Sequence, residues 1–227
     1  MRIAFAGQMR SGKDAAAEYA IRTQGGQICK FADALYQIHD HAIGADASIG
    51  STFDIATQVV GPHLSEDELK FEEDIWFKLW AFLKVWFNGD PEVLEHRQVG
   101  QKSRYFLQYL GTEWARQTIH PDIWVRIFLR NLSKLDPTQH IYCTDLRFHN
   151  ECKALRENGF VSVRVERPEA ARVAAGAANM AHPSEVDVPY LDVDFTIYNR
   201  SSLQEYYARL DVLLNPSLIE RINDLKS

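Results

Sequence analysis

Residues 7–14, Gly7-Gln8-Met9-Arg10-Ser11-Gly12-Lys13-Asp14, match the pattern G-x-x-x-x-G-K with its required spacing. Gly7 and Gly12 let a backbone curl with its N–H groups pointing inward, around Arg10 and Ser11, and Lys13 supplies a point charge for the β and γ phosphates of a nucleotide. Ser or Thr normally follows that lysine and offers magnesium a hydroxyl. Here Asp14 follows, a carboxylate able to bind the ion directly, to bind it through water, or merely to cap a helix.

Other residues could join the same chemistry. Asp145 stands at the carboxyl end of the apolar run His140–Thr144, where P-loop enzymes place an acid that orients magnesium or activates the acceptor. Asp33 follows the run Gln27–Phe31, and either touches a ligand beyond the strand end or caps the next helix. Gln108, Glu113 and Arg116 interrupt a helically spaced apolar stretch, where polar groups are costly unless used. Arginine has a planar fork that fits a phosphate bidentately, which makes Arg104, Arg116, Arg126 and Arg130 candidates for an acceptor phosphate. Residues 169–186 are alanine-rich and read as a mobile helical flap that brings Arg172 to a transferring phosphoryl group and excludes water.

Elements to position these groups follow from the pattern. Strands are expected at Arg2–Ala6, Gln27–Phe31, His140–Thr144, Phe160–Glu166 and Val193–Tyr198. They alternate with helices at Asp14–Arg22, through Tyr36 and Ile38, up to Asn158, and at Leu203–Leu214. Such a βαβ rhythm implies a parallel sheet with right-handed crossovers. Residues 44–64 show no clear period and are expected to be loop with at most a short helix. Ser65-Glu66-Asp67-Glu68 looks like a capped start for one aromatic helix reaching Phe87. Its face packs on the core, or in the sharper reading also makes a homodimer contact. Two further helices are expected, at Tyr105–Arg116 and Asp122–Leu132.

At 227 residues the chain suits one large α/β domain. A net charge of −6 and a pI near 5.8 disfavour a polyanionic partner, so no nucleic acid is expected. The three cysteines, Cys29, Cys143 and Cys152, form no C-x-x-C pair and read as reduced core residues of a cytoplasmic protein. There is no run of eighteen apolar residues and no H-E-x-x-H, so neither a membrane span nor a protein-built zinc site is expected.

The ordered set GQMRSGKD, FADAL, LQYLGTEWAR, DLRFHNE, a strand ending in ER, HPSE and a late strand with YN resembles the bacteriophage deoxynucleoside monophosphate kinases. The layout is also similar to phosphomevalonate kinase and dephospho-coenzyme A kinase. The resemblance implies a three-layer α/β P-loop kinase fold, a single domain over 1–227 with a helical acceptor-binding insertion at about 45–136 and a lid at about 168–186. It implies ATP and Mg2+, with Gly7, Arg10, Ser11, Gly12, Lys13 and Asp14 on the nucleotide and Asp14 and Asp145 on the metal. Asp33, Arg104, Gln108, Glu113 and Arg116 would line the site of a deoxynucleoside monophosphate, and Lys13, Asp145, Arg167 and Arg172 would be catalytic. The flap departs from the pattern in having few arginines. Two alternatives remain: a kinase for another phosphorylated metabolite, and a non-catalytic nucleotide-binding switch.

Overall fold

The computed structural model describes residues 1–89, 93, 96, 100–174, 187–215 and 217–219. It divides into two compact units, one formed by residues 1–30 with 131–227 and the other by residues 31–130.

The first unit is built on a five-stranded sheet. Its strands are β1 (Arg2–Ala6), β2 (Gln27–Ile28), β3 (Ile141–Leu146), β4 (Val161–Glu166) and β5 (Phe195–Tyr198), in the order β2-β3-β1-β4-β5, and every pairing is parallel. Because β1 lies between β3 and β4, the chain leaves its carboxyl end at the point where the strand order reverses, the usual ligand crevice of such sheets. The central strands β1, β3 and β4 are mostly buried on both faces, which is why they read as largely apolar runs. Helices α1 (Lys13–Gln24) and, at the chain's end, Leu203–Leu213 lay Ala16, Ala17, Ala20, Tyr206 and Leu210 against Ile3, Phe5, Val161 and Val163. The sequence expectation for β2 was too long: only Gln27 and Ile28 pair as a strand, and Cys29 adds one further bond to Tyr142 O.

The second unit is helical: α2 (Asp33–Ala42), α3 (Ile49–Val60), α4 (Glu66–Leu69), α5 (Glu72–Asn88), α6 (Arg104–Gln108), a π-helix (Tyr109–Ile119) and α7 (Ile123–Leu132), whose last two residues belong to the first unit. Three expectations are corrected here. Residues 44–64 hold a full twelve-residue helix, α3, started by a reciprocal Ser48–Ser51 capping box. Its buried stripe is Thr52, Ala56 and Val60, too narrow and too mixed to show as a period. The aromatic helix is two helices. Ser65 and Glu68 cap a short α4, the chain breaks at Lys70–Phe71, and α5 then buries Ile75, Leu79, Phe82, Leu83 and Trp86 while leaving Phe77 70% exposed. Gly89, at φ 84°, closes α5 in the left-handed conformation. Finally, the stretch with polar groups at its centre widens into a π-helix after Gln108, a distortion that recurs at functional sites. Trp114 and Trp124 help to hold it, the first donating to Ile75 O and the second to Gly111 O, each at 2.9 Å.

In the first unit the remaining helices are α8 (His149–Glu157), α9 (Glu169–Ala174) and α10, the Leu203–Leu213 helix. The expected flap begins as α9; residues 175–186, including HPSE, lie outside the described residues.

Candidate functional site

The loop from Gly7 to Gly12 joins β1 to α1 in a conformation few sequences permit. A Cβ on Gly7 would sit 2.3 Å from Ser11 Oγ and 2.9 Å from Val165 O, so no side chain fits. Gly12 has φ 107°, and Arg10, at φ 62°, is the one non-glycine residue with positive φ among the described residues. Ser11 N donates to Gln8 O at 3.1 Å, closing the curl. Gly12 is the N-cap of α1 and no side chain caps that helix, so its first N–H groups and the positive end of its dipole face an anion. Asp14, exposed in the first turn, makes no such cap. Lys13 is 7% exposed, and Ser11 is buried with an Oγ that has no hydrogen-bond partner.

Beside the loop is a cavity of about 490 Å³ lined by Gly7, Gln8, Ser11, Glu166 and the four arginines Arg164, Arg167, Arg172 and Arg200. Four guanidinium groups against one carboxylate make it strongly cationic. Each arginine is held. Arg167 Nη1 donates to Arg10 O at 3.2 Å, the buried Arg172 donates through Nε to Arg167 O at 3.2 Å, and Arg164 Nη2 donates to Leu191 O. Arg200 lies 3.9 Å from the centre of the Tyr198 ring and 3.8 Å from Glu166. Arg164 and Arg200 escaped the sequence reading. An arginine within the apolar run Val161–Glu166 was the available signal for Arg164.

Asp145 belongs to β3 itself rather than to the residue after it. From Ala4 opposite Cys143 to Ala6 opposite Leu146, β3 carries one residue more than β1, and this bulge falls at Thr144–Asp145. Bulges re-aim a side chain and are over-represented next to active sites. Cys143 Sγ donates to Asp145 Oδ1 at 3.3 Å. Burial first, and the Asp145 carboxylate second, push the Cys143 thiol well above its ordinary range, so it remains a protonated donor. Glu151, 2% exposed, accepts from the N–H groups of Arg147 and Phe148 at 2.8 and 3.1 Å and so fixes the turn between β3 and α8.

The sequence-read acceptor residues all belong to the helical unit. Asp33 is the exposed first residue of α2, whose N-cap is Ala32, so the capping role falls away. Arg104 is exposed at the start of α6, Gln108 is half-buried at its end, and Glu113 and Arg116 lie exposed and half-buried on the π-helix. Arg116 Nη1 donates to Pro121 O at 2.9 Å. Arg126 is engaged by Glu68, with Nη1 2.7 and 2.9 Å from the two carboxylate oxygens. No group of three or more His, Cys, Asp or Glu able to hold a metal occurs among the described residues, and none of their helices is long and apolar enough to cross a membrane.

Comparison with known proteins places the chain in a family. A model of the deoxynucleotide monophosphate kinase family matches residues 92–210. A protein of Acanthamoeba polyphaga mimivirus, provisionally named a deoxynucleotide monophosphate kinase, is 27% identical over 130 residues, 52% of this chain and 64% of that protein. The deoxynucleoside-5′-monophosphate kinase of Escherichia phage T5 is 30% identical over 117 residues, 44% of this chain and 46% of that protein. The matched regions thus span less than two thirds of either relative. Among solved structures, TT1252 from Thermus thermophilus superposes with a TM-score of 0.43 at 15% identity, covering 94% of this chain and 96% of that one, a likeness too distant to carry weight. The family model, in contrast, takes in more than half of the residues, and on that ground the chain belongs to the deoxynucleotide monophosphate kinase family.

Proposed function

We propose that this protein transfers the γ-phosphoryl group of ATP to the 5′-phosphate of a deoxynucleoside monophosphate, giving the diphosphate and ADP. The observation that carries this reading is the strained loop 7–12, uncapped at the start of α1 and opening beside a cavity with four arginines. The name of the phage T5 relative supports the acceptor class.

Phosphoryl transfer asks for positioning and charge stabilisation more than for covalent chemistry. In this reading the loop amides and Lys13 hold the β and γ phosphates, and Arg167 and Arg172 balance charge that develops on the transferring group. The attacking atom is an oxygen of the acceptor phosphate, already deprotonated at neutral pH, so no strong base is needed. Asp33, Arg104, Gln108, Glu113 and Arg116 serve the acceptor. Magnesium takes one or two carboxylates and keeps several waters, and Asp14 and Asp145 are hard oxygen donors of that kind. Asp14 and Asp145 would hold the ion or its waters, and the ion would supply positive charge against the phosphates.

The test is ADP release from ATP and magnesium with a panel of deoxynucleoside and ribonucleoside monophosphates, phosphomevalonate and dephospho-coenzyme A, with Lys13→Ala as the blank. Turnover with deoxynucleotides, lost in the blank, is the expected result. Turnover only with another acceptor would move the protein to a different substrate class, and slow acceptor-independent hydrolysis would make it a switch.

A further inference from the structure

The phosphate loop is held from behind, in part by residues the proposed chemistry does not use. Three consecutive loop carbonyls each accept a side-chain donor: Arg10 O from Arg167 Nη1 at 3.2 Å, Ser11 O from Asn199 Nδ2 at 2.9 Å and Gly12 O from Tyr206 OH at 3.1 Å. In a trans peptide the C=O of one residue and the N–H of the next point in opposite directions. Fixing Ser11 O therefore aims the Gly12 N–H, and fixing Gly12 O aims the Lys13 N–H, away from these donors. The Ser11 N–H is already taken by Gln8 O, which leaves the Gly12 and Lys13 amides as the two whose direction these donors help to set, Gly12 O also accepting from Ala16 N at 3.0 Å.

We propose that Asn199 and Tyr206 are positioning residues for nucleotide binding, which aim the Gly12 and Lys13 amides at the ATP phosphates by tying down the carbonyls of Ser11 and Gly12. The proposal rests on the reading of loop 7–12 as the ATP site.

Both donors are themselves rigid. Asn199 follows β5 and its own N–H donates to Glu166 O at 2.7 Å, tying it to the end of β4. Tyr206 is fully buried on α10. Burial, with Tyr207 beside it, raises the Tyr206 phenol above its ordinary range, so the hydroxyl stays protonated. A Cβ on Gly12 would come within 2.6 Å of Asn199 Nδ2 and 3.7 Å of Tyr206 Cε1. Asn199 thus occupies the room that a side chain at position 12 would need, with Tyr206 at contact distance, in addition to the φ of 107° there. Strained positions such as Arg10 and Gly12 persist only where their surroundings over-determine them, and these bonds do so.

The experiment compares wild type, Tyr206→Phe, Asn199→Leu and Tyr19→Phe by calorimetric titration with ATP and by steady-state kinetics. Tyr206→Phe keeps the buried ring and removes only the donor. Asn199→Leu removes a donor at similar volume. Tyr19→Phe removes a hydroxyl that bonds Asp211 on the same α10 at 2.6 Å without touching the loop, and controls for loosening of that helix. The expected result is a rise in Kd and KM for ATP of about threefold to tenfold in each of the first two variants, with the acceptor KM unchanged and Tyr19→Phe like wild type. ATP affinity equal to wild type in both Tyr206→Phe and Asn199→Leu overturns the proposal, as does an equal loss in Tyr19→Phe. Wild type that fails to bind ATP, or binds it as well after Lys13→Ala, overturns the ATP-site reading and the proposal with it, so the two failures are distinct.

Discussion

The two units use their cations differently. In the sheet unit, Arg167 and Arg172 donate to backbone carbonyls beside the cavity, where Arg200 lies 3.8 Å from Glu166. In the helical unit, Arg126 faces a carboxylate instead: Glu68 takes its Nη1, and Glu68 also accepts from Ser65 N at 2.7 Å in the cap of α4. An arginine held by carbonyls keeps its charge for an anion, whereas one paired with a carboxylate has largely lost it. Residue type alone does not separate the two kinds, since Arg116, like Arg167, donates to a backbone carbonyl, that of Pro121.

The largest effect that bears on this contrast is Lys13→Ala. It should lower turnover by about 10³-fold or more with an unchanged thermal midpoint. A near-normal rate of ADP release would reduce the loop to a glycine turn and end the contrast. Arg116→Ala should raise the acceptor KM about tenfold, the worth of one charge-assisted hydrogen bond, and ATP's KM much less. Equal changes for both substrates would show that Arg116 acts only through Pro121, as a structural tie.

Glu68→Gln should cost about 1–2 kcal/mol in urea unfolding at pH 7. Burial alone would raise the Glu68 carboxyl, but hydrogen bonds from Arg126 and Ser65 outweigh it and leave it below the ordinary 4.5. A depressed carboxyl contributes stability above its unfolded value and loses it as pH falls through the folded one. The gap between wild type and variant should therefore be widest above pH 4.5 and close in acid; a gap independent of pH would mean the pair contributes packing and not charge. The smallest effect is Ser48→Ala, which should cost about 0.5–1 kcal/mol through the cap of α3. Circular dichroism at rising urea would detect it, and no change would mean α3 depends on packing alone.

The same division explains what could be read in advance. β1 was expected at Arg2–Ala6 and lies there, and β4 and β5 differ from their expected ranges by no more than two residues at either end. The central strands β1, β3 and β4 are mostly buried and so mostly apolar, Gly12, Gly25 and Gly159 mark turns at positive φ, and Gly7 stands where a Cβ would meet Val165 O. In the helical unit, α3 was missed and 65–87 was joined into one helix. There a break at Lys70–Phe71 carries no Gly or Pro, and a stripe of Thr52, Ala56 and Val60 becomes apolar only in its packed setting.

By itself the sequence determined the glycine loop between β1 and α1 and the parallel βαβ order, because turn chemistry and burial act over a few neighbouring residues. Tertiary structure decided that Arg126 meets a carboxylate, that Asp145 sits on a bulge, and that Asn199 and Tyr206, 188 and 194 residues further along the chain, reach back to Ser11 and Gly12. A hydrogen bond at that separation leaves no local pattern: its donor is chosen by where the sheet returns the chain, and no spacing rule records that.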